Sequence, residues 1–176
     1  ESSVRLVNRI LDKKGTEKAR SESLQTIPVG ENLEIVNEII VEKPERWSVD
    51  TPVLYTVVSE VYSEEKVIDK QETKFGIRTI SFDTEKGFRL NGVSVELKGG
   101  CVHHDNGPLG ARAYDRAEER RVELLKASGY NAIRCAHNPP SPAFLDACDR
   151  LGMLVIDEAF DMWIYANNAF DYHLYF

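Results

Sequence analysis

The sequence lacks several features that would assign the chain to common classes of protein. No apolar run approaches the roughly 18 residues that a membrane-spanning helix requires, so we expect no membrane segment. The beginning, Glu1-Ser2-Ser3-Val4, carries neither the basic nor the apolar part of a signal peptide. Lysine and arginine number 22 against 29 acidic residues, which gives a net charge of −7. This charge argues against a nucleic-acid partner, which requires a basic face, and it is compatible with a neutral ligand.

Cysteine is also scarce: the chain has three, Cys101, Cys135 and Cys148, and no C-x-x-C pair. An odd number at these spacings predicts small buried apolar residues rather than a disulfide framework or a metal site. Neither the cysteines nor the termini indicate a cellular compartment. The content of 42% hydrophobic and 29% charged residues is typical of a globular chain, and 176 residues suit one ordinary domain or two small ones.

Residues 1–80 have the pattern of an antiparallel β-sandwich. Short β-branched and aromatic stretches alternate with polar turns, as they do in such sandwiches. The predicted strands are residues 4–11, 24–27, one or two within 33–41, 53–62, 67–69 and 75–80. The charged residues of this half lie in turns or on alternating strand faces, so we predict a structural module without a catalytic site.

The pattern changes at about Ser81, where strands begin to alternate with helices. A hairpin is predicted at residues 88–95, with Asn91-Gly92 at its turn. The later elements are predicted strands at 96–101, 131–135 and 153–156, separated by helices at 115–128 and 141–151. Ser141-Pro142 is a favourable helix start and Gly152 a favourable stop. This order of elements predicts successive right-handed βαβ units with a parallel sheet.

Polar residues collect directly after each of these three strands. Active sites of (β/α)8 barrels lie at the carboxyl ends of the barrel strands. Three strands that deliver histidine, arginine and carboxylates to one edge therefore predict a site. The residues are His103, His104 and Asp105 after the first strand, Arg134 and His137 at the second, and Asp157, Glu158, Asp161 and Trp163 after the third.

Several of these residues also have a purely structural interpretation. Arg134 could serve only as the ion-pair partner of an acid on the third strand, whereas in a site its fixed charge would hold a carboxylate ionised and in place. Only one of His103 and His104 is expected to point inward. Trp163 either stacks on a sugar ring or packs under a loop.

Two nearly contiguous stretches resemble the first signature of glycoside hydrolase family 2, which includes β-galactosidases, β-glucuronidases and β-mannosidases. They are NAIRCAHNPP at residues 131–140 and FLDACDRLGMLVIDE at residues 144–158. Segments upstream resemble the entry into the family's barrel and the end of the preceding immunoglobulin-like domain. The resemblance implies an immunoglobulin-like β-sandwich at residues 1–80, followed at 81–176 by the first strands of an incomplete (β/α)8 TIM barrel.

The resemblance also implies roles for the matching residues. Arg134 would orient the nucleophilic carboxylate, and His137 would hydrogen-bond the substrate or stabilise the transition state. His103 would lie near the sugar hydroxyls, with Asp105 beside it. Glu158 would lie deep in the site, where some β-galactosidases of the family hold a divalent cation with the equivalent acid. Too few other ligands of that cation are recognisable, so we predict no metal or other cofactor in this chain.

The two carboxylates that break the glycosidic bond in this family are missing. Retaining members use an acid/base and a nucleophile about 5 Å apart, both on later barrel strands, and the acid/base follows an asparagine. The pair Asn37-Glu38 lies in the wrong half. We therefore expect that this chain alone contains no catalytic residue and has no activity. We also expect that its partner is either the rest of a longer chain or a second copy of this one. A β-galactoside is the expected substrate, because the Arg-Cys-Ala-His-Asn-Pro-Pro and His-His-Asp variants look most like that branch.

Two other interpretations stay open at the level of the sequence. A metal-dependent hydrolase on a (β/α)8 barrel would use His103, Asp105, His137 and Glu158 as ligands, although such sites need further ligands from later strands. A non-catalytic sugar-binding module of the same fold would bind sugars without turnover.

Overall fold

The computed structural model describes residues 2–159 together with residues 165, 169, 170 and 174. The chain divides into two compact units. The first comprises Glu1–Trp47 and Val53–Arg78, and the second comprises Ser48–Pro52 and Thr79–Phe176. In the part of the chain that is described, no helix combines the length and apolar composition needed to cross a bilayer.

The first unit contains one four-stranded antiparallel sheet with the order β2-β1-β3-β4. Its strands are β1 (Ser2–Leu11), β2 (Glu17–Ile27), β3 (Tyr55–Ser63) and β4 (Lys66–Phe75). β1 is one of the two inner strands, and both of its faces carry buried residues, Val4 and Ile10 on one face and Val7 on the other.

Two expectations for this unit were wrong. The segment 33–41 contains no strand, and its Val36 and Ile40 are more than four-fifths exposed. Apolar spacing there had suggested a strand, but no neighbouring strand pairs with it among the described residues. The strand predicted at 67–69 lies within the longer β4, which ends at Phe75, whereas residues 76–79 of the strand predicted at 75–80 are not in a strand. The four-stranded sheet of the described residues is one of the two facing sheets of the predicted β-sandwich.

Trp47 fixes the end of the first unit. It is 1% exposed, and its backbone N–H donates to the carbonyl of Ile77 at 2.9 Å. The Arg78 guanidinium lies 4.7 Å from the centre of the indole ring. A Cβ added at Gly76 would lie 2.8 Å from the Cβ of Trp47, so only glycine fits against the indole.

The second unit opens with a three-stranded antiparallel ribbon: β5 (Ile80–Asp83), β6 (Gly87–Leu90) and β7 (Val93–Ser94). Asn91 and Gly92 form the turn between β6 and β7 with φ of 54° and 81°. Both positive φ values are those of the predicted hairpin turn.

Three parallel strands and two helices form the rest of the second unit. They are β8 (Gly99–Val102), α1 (Asp115–Ala127), β9 (Ala132–Cys135), α2 (Pro142–Leu151) and β10 (Leu154–Asp157), with a 3-10 turn at Gly107–Leu109. The sheet order is β10-β9-β8, and both pairs are parallel. The predicted βαβ units are confirmed, and the described residues form no closed barrel.

The helices cover one face of this sheet and bury a common core. Its members are Val122, Ile133, Cys135, Phe144, Ala147, Cys148 and Met153. Burial raises the pKa of the Cys135 thiol to about 11, which keeps it protonated and unreactive. Burial of Cys135 and Cys148 is thus confirmed, but Cys101 is exposed. That expectation was wrong because Cys101 pairs in register with Arg134 and therefore faces away from the helices.

Both predicted ends of α2 are confirmed. The Ser141 hydroxyl accepts the N–H of Phe144 at 3.3 Å, and Gly152 ends the helix in the left-handed region with φ 76° and ψ 49°. A Cβ on Gly152 would lie 2.3 Å from the carbonyl oxygen of Val49. Lys126 Nζ donates to the carbonyls of both Val49 and Gly152, at 2.7 and 2.9 Å.

This geometry predicts unequal costs for two glycine substitutions at helix ends. Gly129→Ala should cost about 1 kcal/mol, since Gly129 has a positive φ but open space around its missing Cβ. Gly152→Ala should cost about 1–3 kcal/mol more, because the methyl group also meets the Val49 backbone. Urea denaturation of both variants beside the parent protein measures the difference, and equal losses would show that the Val49 contact is unimportant.

Candidate active site

The candidate site lies where β8, β9 and β10 end. Since the three strands are parallel neighbours, their carboxyl ends meet at one edge of the sheet. Arg134 lies within β9 and pairs in register with Ile156 of β10. Glu158 follows Ile156 by two residues, so the strand alternation directs it to the same face as Arg134.

Glu158 contacts both Arg134 of β9 and His137, which lies two residues beyond the end of that strand. Arg134 Nε lies 2.5 Å from its Oε1, and His137 Nδ1 lies 3.5 Å from its Oε2. The Glu158 side chain is 22% exposed against 42% for Arg134. These three residues, Arg134, His137 and Glu158, form what we term the Glu158 cluster. The ion-pair interpretation of Arg134 predicts this contact with an acid of the third strand. The catalytic interpretation requires contact with a second carboxylate, which the resemblance places on a later strand.

Arg134 supplies a permanent positive charge to this cluster. Its Nη1 lies 3.4 Å from the Sγ of Cys101, and contact with Cys101 and with the Glu158 carboxylate raises the pKa of the guanidinium. Its Nη2 makes no hydrogen bond to the residues that the structure describes. The guanidinium therefore retains donors for another carboxylate.

The first strand contributes His103, whose ring centre lies 5.5 Å from that of His137 at an interplanar angle of 59°. His104 lines a cavity of about 20 Å³ next to His103, which has room for about one water molecule. The Asp105 carboxylate makes no hydrogen bond or ion pair with the Glu158 cluster within residues 2–159. The structure thus brings His103 to the cluster and leaves Asp105 outside it. Trp163 and Asp161 lie outside the described residues.

A groove of about 220 Å³ opens on the face of the sheet opposite the helices. Its lining consists of Leu97, Gly99, Gly100, Cys101, Ala132, Ile133, Arg134 and Ile156. Ile156 is 56% exposed there. The volume is below the roughly 300 Å³ at which small-molecule pockets begin.

The four ligands that the metal-hydrolase interpretation requires, His103, Asp105, His137 and Glu158, do not form a metal site in the described part of the chain. No three histidine, cysteine, aspartate or glutamate side chains within it lie in an arrangement that could hold a metal ion. His137 and Glu158 are in contact, whereas Asp105 is not part of that group.

Sequence reasoning missed two charged residues of α1, which it assigned to a solvated surface. Glu118 is 4% exposed, and the Arg121 side chain is 18% exposed. The signal was present, because Glu118 lies four residues before Val122 and seven before Leu125, on the buried stripe of the helix. Leu124 of the same helix is 50% exposed and lies outside that stripe.

Comparison with known proteins identifies both halves of the chain. Residues 1–78 match the family model described as glycosyl hydrolases family 2. Residues 83–171 match the model described as glycosyl hydrolases family 2, TIM barrel domain. The family-level prediction from residues 131–158 is confirmed.

Individual relatives agree with these matches. The β-galactosidase BoGH2A of Bacteroides ovatus is 44% identical over 98% of this chain and 20% of its own length. The crystal structure of a glycosyl hydrolase family 2 member from Bacteroides cellulosilyticus has a TM-score of 0.92 and 55% identity, over 99% of this chain and 23% of that one. A β-glucuronidase of Bacteroides uniformis has a TM-score of 0.88 and 32% identity, over 96% of this chain and 20% of its own.

The chain spans about a fifth of the length of these relatives. Since family models match it from residue 1 to residue 78 and again from residue 83 to residue 171, the chain belongs to glycosyl hydrolase family 2.

Proposed function

We propose that the chain is a segment of a longer retaining glycoside hydrolase that cleaves terminal β-glycosidic bonds, with a β-galactoside as substrate. The observation that carries this proposal is the Glu158 cluster, which lies with His103 at the carboxyl ends of three parallel strands. In this proposal residues 1–80 are an immunoglobulin-like sandwich and residues 81–176 begin the catalytic barrel. The acid/base and the nucleophile come from later strands.

Arg134 prepares the site for the nucleophile. Its Nε and Nη1 are occupied by Glu158 and Cys101, which fixes the plane of the guanidinium. The remaining donors of Nη2 then bind the nucleophilic carboxylate. A neighbouring cation lowers the pKa of a carboxyl group, so the nucleophile stays ionised and aimed at the anomeric carbon.

The two histidines line the sugar side of the site. His137 directs Nδ1 to Glu158 at 3.5 Å, which leaves Nε2 for a sugar hydroxyl. His103 stands 5.5 Å away, ring centre to ring centre, and contacts a second hydroxyl. The remaining barrel strands cover the open groove beside Arg134 and exclude water, which strengthens these polar contacts.

The choice of a neutral β-galactoside rests on two short sequences, Arg-Cys-Ala-His-Asn-Pro-Pro at residues 134–140 and His-His-Asp at residues 103–105, which look most like the β-galactosidase branch of the family. The 44% identity to a β-galactosidase over nearly the whole chain supports the same choice. A β-glucuronide is the second candidate, because a relative named β-glucuronidase shares the fold at a TM-score of 0.88.

Nitrophenyl glycosides test both the substrate and the missing carboxylates. The full-length protein should hydrolyse nitrophenyl β-galactoside with a kcat/KM at least about 10-fold above that for the β-glucuronide, a difference of about 1.4 kcal/mol in transition-state binding. Residues 1–176 alone, with folding checked by circular dichroism, should hydrolyse neither. Hydrolysis by residues 1–176 that Glu158→Gln abolishes would contradict the assignment of the catalytic pair to later strands, and preference for the glucuronide would contradict the substrate.

Arg134→Gln in the full-length protein tests the role of the guanidinium. Loss of a preorganised charge at the reacting carboxylate should lower kcat by about 100-fold or more with a smaller change in KM. Arg150→Gln is the matched control, since Arg150 lies exposed in the last turn of α2 and should leave kcat unchanged. Steady-state kinetics and thermal denaturation of both variants provide the measurement. A folded Arg134→Gln enzyme with the parent kcat would show that Arg134 is only an ion-pair partner of Glu158.

A further inference from the structure

A side chain of α1 holds the loop that carries His103. We term residues 103–106, which follow β8, the His103 loop. Arg121 Nη1 donates to the carbonyl of His103 at 3.1 Å, and Nη2 donates to the carbonyl of Asp105 and to Asn106 Oδ1, the latter at 2.6 Å. One guanidinium thus binds three acceptors from a stretch of four residues.

These contacts replace hydrogen bonds that the chain loses where the strand ends. A carbonyl beyond the last rung of a sheet has no ladder partner and must find another donor or water. Within the loop, the N–H of Asp105 donates to the carbonyl of His103 at 2.8 Å. The planar guanidinium adds donors in a fixed geometry that a flexible ammonium group does not offer.

A buried carboxylate holds Arg121 and the loop together. Glu118 lies one turn earlier on α1, and its Oε1 is 3.9 Å from Arg121 Nη2. The same Oε1 accepts Asn106 Nδ2 at 2.5 Å, and that amide also donates to the carbonyl of Arg112 at 3.2 Å. The Glu118 side chain is only 6% exposed, and a charge buried to this extent is stable only when it is paired and hydrogen-bonded.

We propose that Arg121 is a positioning residue, supported by Glu118, that sets the place of His103 relative to His137 for glycoside hydrolysis. This inference rests on the proposed function. Arg121 binds the backbone carbonyl of His103, and the ring of the same residue lies 5.5 Å from the ring of His137. Without the guanidinium, the carbonyl of Asp105 loses this donor, the carbonyl of His103 retains only the N–H of Asp105, and the loop moves. A displacement of about 1 Å lowers a rate by about 100-fold.

The same helix offers a matched control. Arg116 also lies on α1 and forms charged hydrogen bonds with two glutamates, Glu119 and Glu123. Its side chain is 67% exposed, and the contacts that the structure gives it do not include the His103 loop. Arg116→Ala therefore removes a paired arginine from α1 without touching the loop.

The experiment compares Arg121→Ala, Glu118→Gln and Arg116→Ala in the full-length enzyme. Steady-state kinetics with nitrophenyl β-galactoside give kcat and KM, and hydrogen exchange with mass spectrometry reports on peptides that cover residues 103–110. Arg121→Ala should lower kcat by about 10- to 100-fold with KM changed less. It should also speed exchange in the loop by about 10-fold or more while the α2 peptides keep the parent rate. Glu118→Gln should give a smaller loss in the same direction, and Arg116→Ala should match the parent.

Other results would contradict either the role of Arg121 or the proposed function, and the two cases can be distinguished. Unchanged kcat in a folded Arg121→Ala enzyme, unchanged loop exchange, or an equal loss in Arg116→Ala contradicts the role of Arg121. If Arg121→Ala does not fold, the Glu118→Gln variant tests the proposal instead. A kcat and KM equal to those of the parent protein in that variant would contradict it. If the parent protein turns over no glycoside, the proposed function fails, while loop exchange still decides whether Arg121 holds the His103 loop.

Discussion

The ion pair between Arg134 and Glu158 joins two neighbouring parallel strands at their carboxyl ends, and the candidate site depends on it. Ion pairs with this degree of exposure contribute little to stability, so the value of the pair lies in placement. It fixes the plane of the guanidinium and holds the carboxylate that also contacts His137. The parallel register of β9 and β10 makes the pair possible, because it puts Ile156 beside Arg134 and Glu158 two residues further along the same face.

Two layers of support surround this pair. On the helix side, the core around Phe144 and Val122 fixes α1 and α2 against the sheet. On α1, Arg121 donates a hydrogen bond to the loop that carries His103, and the buried Glu118 lies beside Arg121. Among the described residues, the face of the sheet that carries Arg134 is open, and in the proposed enzyme further barrel strands enclose it. In the proposed enzyme, this chain supplies residues that bind the sugar, and the rest of a longer chain supplies those that break the bond.

The features that the sequence could predict are those that depend on neighbours close along the chain. Ser141 and Gly152 specify the ends of α2 by local backbone chemistry, and apolar periodicity places the strands of the second unit. The ion-pair interpretation of Arg134, one of the two that the sequence left open, named an acid of the third strand as its partner. The failures depend on distant neighbours. Segment 33–41 has strand-like spacing but no partner strand in the described chain. The apolar stripe of α1 indicates that Glu118 is buried, but its hydrogen-bond donor is Asn106, twelve residues away.

Covalent labelling of the nucleophile tests the central claim most directly. An activated 2-fluoro β-galactoside traps the glycosyl-enzyme intermediate of a retaining enzyme, and digestion followed by mass spectrometry locates the labelled residue in the full-length protein. The account predicts a labelled carboxylate outside residues 1–176, with labelling slowed by Arg134→Gln. A label on Glu158, or on any other residue of this chain, would contradict it.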